Sequence, residues 1–139
     1  MKRVLVAYDG SQQADAALDH ALAEFSDAEL HVLCVLDPAE ATYASTEEMP
    51  AVADGWYDEA TEEAERILAE AEERAGDREL VTAHVVGRPG HSIVEYAEEH
   101  DVDQVVTGSH GRTGVARLLL GSVAETIVRR SPVPVTVVR

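Results

Sequence analysis

Val105-Val106-Thr107-Gly108-Ser109-His110-Gly111-Arg112-Thr113-Gly114, continuing through Val115–Leu120 to Gly121-Ser122, is the stretch on which the reading of this chain turns. An apolar, β-branched run leads in and a helix-like segment, Val123–Arg130, leads out, so a long glycine-punctuated loop joins a strand to a helix. Glycines allow positive φ and close approach of the backbone to a ligand. The helix beyond adds unpaired N–H groups and a partial positive charge, so the loop reads as a cradle for an anion such as the phosphates of a nucleotide.

Downstream, Ser122-Val123-Ala124-Glu125 fits the S-x-x-E capping box and places a helix start at Ser122, with Ser131-Pro132 as its stop. Val133–Val138 follows as a strand whose Pro134 favours a sheet edge. A valine-rich edge invites pairing, so a homodimer in which these strands meet is expected. Upstream, Val102–Thr107 and Leu80–Val86 read as strands separated by a helix that Pro89 opens and that runs to about Glu99. A helix is expected over Asp58–Ala75, with Gly76 as its C-cap and Glu62–Arg66 and Glu70–Arg74 as i,i+4 pairs. Residues 38–58 read as a covering loop, with Trp56 and Tyr57 docking at its end. Leu30–Leu36 is a strand, and before it Ser11 caps a helix whose Ala14, Ala17, Leu18, Ala21, Leu22 and Phe25 form one apolar face. Val4–Tyr8 opens the chain as a strand closed by Asp9-Gly10-Ser11. The order β-α-β-α-β-α-β-α-β implies an α/β domain over residues 1–139, an open parallel sheet with helices on both faces.

Composition narrows the partners. With 27 acidic against 11 basic residues the net charge is −16, and Lys2 is the sole lysine. Such a chain lacks the basic patches that bind nucleic acid or an anionic membrane. It suits a salt-rich cytoplasm, a halophile-type balance in which self-repulsion is screened. From Gly108 to Arg139 five arginines face Glu125 alone, a local +4 that leaves −20 for residues 1–107. Cys34 is the single cysteine, so no internal disulfide is possible. Met1-Lys2-Arg3 passes straight into a strand without a signal peptide, and no apolar run is long enough to span a bilayer; a cytoplasmic location is expected.

In an open parallel sheet ligands bind beyond the carboxyl ends of the strands, where strand order reverses. Asp9-Gly10-Ser11 and the glycine loop share that crevice if the first and fourth strands are neighbours. Asp9 suits a ribose hydroxyl or a Mg²⁺ held through water, or else a plain turn and cap. His110 and Arg112 flank Gly111 within reach of phosphate, with a surface-loop role as the alternative for His110. The other histidines, at 20, 31, 84, 91 and 100, lack metal-ligand spacing. No Walker A lysine is present, nor a residue evidently placed to orient a water for γ-phosphate attack, so slow hydrolysis is the most to be expected.

Gly108-x2-Gly111-x9-Gly121-Ser122 after Thr107 resembles the ATP-binding motif of the universal stress protein family. The resemblance extends to Asp9-Gly10-Ser11, to His31–Asp37, to Gly87-x-Pro89 and to Ser131-Pro132-Val133-Pro134-Val135. It implies a Rossmann-like, five-stranded parallel sheet of order 3-2-1-4-5, of the adenine nucleotide alpha hydrolase-like type, dimerising through the fifth strand. It implies ATP with Mg²⁺ (or Mn²⁺). Gly108, Gly111, Gly121, Ser122 and the Val123 amide fall at the phosphate positions, Val35 at the adenine, and Ala7, Asp9 and Thr107 at the nucleoside side. The function it implies is a nucleotide-binding stress-response module. A weak ATPase and a partner-binding member without nucleotide are the alternatives.

Overall fold

The computed structural model describes residues 1–39, 54–110 and 120–139. Along the chain lie β1 (Arg3–Ala7), α1 (Gln12–Glu24), β2 (Glu29–Leu36), α2 (Asp54–Ala75), β3 (Leu80–Val86), α3 (Pro89–Glu99), β4 (Gln104–Gly108), α4 (Ser122–Arg130) and β5 (Val135–Val138). The strands form one parallel sheet in the order β3-β2-β1-β4-β5. This is the arrangement expected from the alternation of elements, with strand limits shifted by a residue or two.

Period-two alternation sorts the side chains onto two faces. Val4, Val6 and Tyr8 of the first strand segment join Leu30, Val32, Cys34, Val106 and the apolar stripes of α1 and α2. Leu5, Leu33 and Val105 point the other way and pack with Ile93, Tyr96 and Ala97 of α3 and Ile127 of α4. Each helix stripe covers one sheet face. Cys34 is buried in the first of these layers.

Local chemistry accounts for the helix ends. Ser11 caps α1 by accepting the Ala14 N–H at 3.1 Å, and Gly10 enters the turn at φ +82°. Gly76 stops α2 at φ +64°, a left-handed position that favours glycine. Pro89 occupies the first turn of α3 behind Arg88.

Four expectations need correction. Helix α2 begins at Asp54, so Trp56 and Tyr57 lie inside its first turns; Trp56 packs against the core while Tyr57 is exposed. Arg66 pairs with Glu63 and with Glu70, the latter at 3.4 Å. Arg74 reaches across to α1, making two 2.8 Å bonds to Asp19 and a 3.7 Å contact with Asp15, which ties the two helices together. The Ser122 capping box does not form: Gly121 is the N-cap of α4 and Glu125 instead pairs with Arg129 at 3.3 Å. The covering loop read over residues 38–58 falls largely on 40–53, outside the described residues.

At the amino ends of the strands, a polar cluster links β1, β2 and α3. His31, 6 % exposed, lies 2.7 Å from both Tyr96 Oη and Glu29 Oε1, and Tyr96 stacks on His100. Arg3 donates to the His100 carbonyl and pairs with Glu29.

Candidate functional site

Strand order reverses between β1 and β4. The chain steps outward from β1 to β2 and β3, then returns to place β4 on the other side of β1, with Val6 opposite Val106. Beyond these two strand ends the chain leads to helices on opposite faces of the sheet, α1 on one and α4 on the other, at the usual ligand position in such sheets. Asp9-Gly10-Ser11 stands on its β1 side, and Gly108-Ser109-His110 on its β4 side.

On the β1 side the chain makes an Asx turn: Asp9 Oδ1 accepts the Ser11 N–H at 3.0 Å. Asp9 is partly buried and fixed in the turn that starts α1. Of the roles read from the sequence, the one seen here is that of the turn. Next to it, Tyr8 is 3 % exposed and donates its hydroxyl to Asp15 Oδ1 at 2.5 Å. Burial, reinforced by that bond and the Asp15 charge, holds the phenol far above its ordinary range. No local sequence signal marks this bond, which locks the strand end to α1.

Alternation along the strands places Ala7 and Val35 with the second core layer, at the carboxyl ends of β1 and β2. Thr107 shares the parity of Val105 and is 4 % exposed, with Oγ1 donating to the Gly108 carbonyl at 3.2 Å. These three nucleoside-side positions thus belong to one face. Val35 lies two residues past Leu33, the partner of Ala7, and so projects beyond the end of β1.

The glycines of the loop have different jobs. A Cβ on Gly108 would lie 2.8 Å from Gln13 Cβ and 2.8 Å from the Gln13 carbonyl oxygen, so this glycine lets β4 seat against α1. Gly121 donates its N–H to the Ser109 carbonyl at 2.7 Å. That bond closes the base of the loop and commits the Gly121 amide within the chain. A Cβ there would come within 3.1 Å of the same carbonyl oxygen. Gly111 and Arg112 lie outside the described residues.

Donors remain at the start of α4. The first helical bond runs from the Glu125 N–H to the Gly121 carbonyl, which leaves the amides of Ser122, Val123 and Ala124 without intrahelical partners. Ser122 is exposed, so its hydroxyl stands at the same end. Arg129 and Arg130 sit in the last turn of α4, where they suit the negative end of its dipole rather than the crevice. Arg112 and Arg117 are therefore the loop's own basic residues. Ser109 and His110 complete the β4 side: the two side chains meet at 3.2 Å, Oγ to Nδ1. Adjacency in sequence directly after a strand end is the local cue that could have found this contact.

Among the described residues no group of three or more His, Cys, Asp or Glu side chains could hold a metal ion. No helix among them is long and apolar enough to cross a membrane.

Residues 1–139 match the profile of the universal stress protein family from end to end. Universal stress protein YxiE of Bacillus subtilis is 35% identical over 145 residues, covering 99% of this chain and 98% of its own length. The solved structure of MJ0577, reported as a structure-based assignment of that protein's biochemical function, superposes with a TM-score of 0.81 at 33% identity over 99% of this chain and 94% of the other. A universal stress protein solved in complex with cAMP aligns with a TM-score of 0.72 at 32% identity, over 99% of this chain and 97% of the other.

Proposed function

The chain belongs to the universal stress protein family, and we propose that within it this protein is a cytoplasmic ATP-binding regulatory module. The observation that carries the reading is the pairing, across the β1–β4 reversal, of the Asp9 turn with three N–H groups at the start of α4 that lack intrahelical partners. In this reading Ser122 and the Val123 amide meet phosphate at the helix N-terminus. Gly108 and Gly121 shape the cradle, and Gly111 contributes from the loop between them. The Val35 backbone holds adenine, and Ala7, Asp9 and Thr107 line the nucleoside. Mg²⁺ or Mn²⁺ arrives with the nucleotide, bound mainly by phosphate and water, with Asp9 in contact through water.

The crystal complex of a 32%-identical relative with cAMP favours a second ligand of the same class, a nucleoside monophosphate. Both share the adenine and ribose contacts and differ in what reaches α4. An acidic, lysine-poor composition supports a working environment rich in salt. The open edge of β5 supports a homodimer through Val133–Val138. The Pro134 and Val138 carbonyls face β4, so the alternate residues Val135 and Val137 present their backbone groups outward.

Thermal melts with and without Mg-ATP test the main reading. At a hundredfold excess over Kd, binding stabilises the native state by about 2.7 kcal/mol. For a chain of 139 residues that is a rise of roughly 9 °C. A melt unmoved by millimolar Mg-ATP refutes it. A shift with cAMP or AMP alone favours the second ligand. Phosphate release above the no-protein control, abolished by Asp9→Asn, would make the protein a slow ATPase.

A further inference from the structure

His110 follows Ser109 at the crevice end of β4, and the ring is fixed from one side only. Ser109 Oγ stands 3.2 Å from Nδ1, whereas Nε2 is shut off from solvent and has no hydrogen-bond partner. The ring lies against the N-cap of α4: its Cδ2, bonded to that nitrogen, is 3.8 Å from where a Cβ on Gly121 would sit. Its backbone anchor is firm. Ser109 is 9 % exposed, donates its N–H to the Val138 carbonyl at 2.9 Å and accepts the Gly121 N–H.

A buried polar atom without a partner costs free energy and calls for an explanation. When the Ser109 hydroxyl donates to Nδ1, Nε2 carries the ring's proton and is a donor. In the opposite orientation Nε2 would be an acceptor, which calls for an N–H or O–H donor instead. As a donor it joins the amides of Ser122, Val123 and Ala124, which also lack acceptors within the helix. The group that satisfies them together is an anionic oxygen.

We propose that His110, held in its Nε2–H tautomer by Ser109, donates to a phosphoryl oxygen of the bound nucleotide and is the side chain by which the site selects phosphorylated ligands over the bare nucleoside. The proposal rests on the nucleotide reading above. It assigns the histidine a binding role and involves no proton transfer.

The test is a titration of the full chain with Mg-ATP and with adenosine, for the wild type and for His110→Phe, His110→Gln and Ser109→Ala. Phe keeps a ring and loses the donor; Gln restores an N–H near the Nε2 position. Loss of one hydrogen bond to a charged group corresponds to at least about a tenfold weaker Kd. The expected result is that loss for ATP in His110→Phe, recovery in His110→Gln, a smaller loss in Ser109→Ala, and an adenosine Kd unchanged in all three. Imidazole ¹⁵N–¹H spectra of the wild type should show His110 as the Nε2–H tautomer, with a resonance that moves on adding ATP and not adenosine. Unchanged ATP binding in His110→Phe overturns this proposal alone, as does an equal loss for adenosine. Failure of the wild type to bind either ligand overturns the nucleotide reading and this proposal with it. If His110→Phe does not fold, His110→Gln and the wild-type spectra decide: an Nδ1–H tautomer overturns the assignment.

Discussion

Gly108→Ala separates a packing glycine from a ligand-binding one. An added Cβ would stand 2.8 Å from Gln13 Cβ, 2.8 Å from the Gln13 oxygen and 2.9 Å from its carbonyl carbon. Carbon–carbon contacts settle at about 3.5–4.0 Å, so β4 and α1 must part by about 0.7–1.2 Å. The obstacle is backbone in the first turn of a helix that Ser11 caps and that Ala14, Ala17, Leu18 and Ala21 anchor in the core, so it yields little. Overpacking of this kind costs about 1–3 kcal/mol. Gly108 is not among the positive-φ residues, so alanine also restricts the unfolded chain, a gain of about 0.4–1 kcal/mol. At the middle of both ranges the clash wins, and the net loss there is about 1–2 kcal/mol. With an unfolding entropy of about 2.1 cal/mol/K per residue across 139 residues, the melting temperature falls by roughly 3–7 °C without any nucleotide. Calorimetry of the free protein measures it. A free-protein melt equal to wild type, with only ATP binding lost, would refute the packing argument and return Gly108 to the ligand.

Tyr8→Phe removes a buried donor to Asp15 and should lower stability in urea titrations by about 1.5–3 kcal/mol, with an unchanged midpoint as the contrary result. The His31 hydrogen bond, with Arg3 nearby, holds the Glu29 carboxyl below the usual range. A lowered folded-state pKa gives stability that is present above the unfolded value and lost as pH falls toward the folded one. Glu29→Gln should therefore flatten the acid limb of the stability curve below about pH 5, as measured at constant salt. His91 moves the opposite way from the usual partnered histidine: desolvation first, then Arg88 and Arg130, lower its pKa. The unfolded chain therefore binds the proton more readily, stability declines as pH falls through about 6.5, and His91→Gln should remove that decline in denaturant midpoints. Val137→Pro deletes an outward N–H of β5 without touching the β4 ladder, so light scattering should find monomer in place of dimer; a dimer that persists would place the interface elsewhere.

Sequence periodicity exposed the sheet because burial on alternate faces leaves its mark on every strand. The same signal named the core of α1 nearly residue by residue. It fell short where a contact joins distant segments. Arg74 looks like the i+4 partner of Glu70, yet Asp19 of α1 takes it with two bonds, and no rule confined to one helix reveals that. Gly55 and the surrounding acidic residues disguised the start of α2, where Trp56 reaches the core and tertiary packing overrides weak local propensity. At the site, Asp9 and the start of α4 were legible from strand ends and helix signals. The partner of the Gly121 amide was not, because the loop returns to Ser109 across eleven intervening residues.

That return changes what the glycine motif means physically. A pattern of glycines before a helix suggests a row of amides offered to phosphate, but Gly108 is consumed by the approach of Gln13 and Gly121 by the closure onto Ser109. Gly121→Val is consequently a poor probe of ligand contact, since its Cβ meets the Ser109 oxygen at 3.1 Å and strains the closure itself. Among the described residues the donors that remain are non-glycine amides of the α4 first turn, which any side chain can supply and which mutation to another residue leaves in place. A mutational attack on phosphate binding must therefore act through side chains or through the backbone N–H itself. Val123→Pro is the substitution that follows: it deletes the amide at the second position of α4, where proline is tolerated because that N–H has no helical partner. Proline also gives up part of the packing of Val123 on the second core layer, so urea titration should show a modest loss of about 1–2 kcal/mol, while the ATP Kd rises. Equal ATP affinity in Val123→Pro would show that the phosphates do not engage the start of α4.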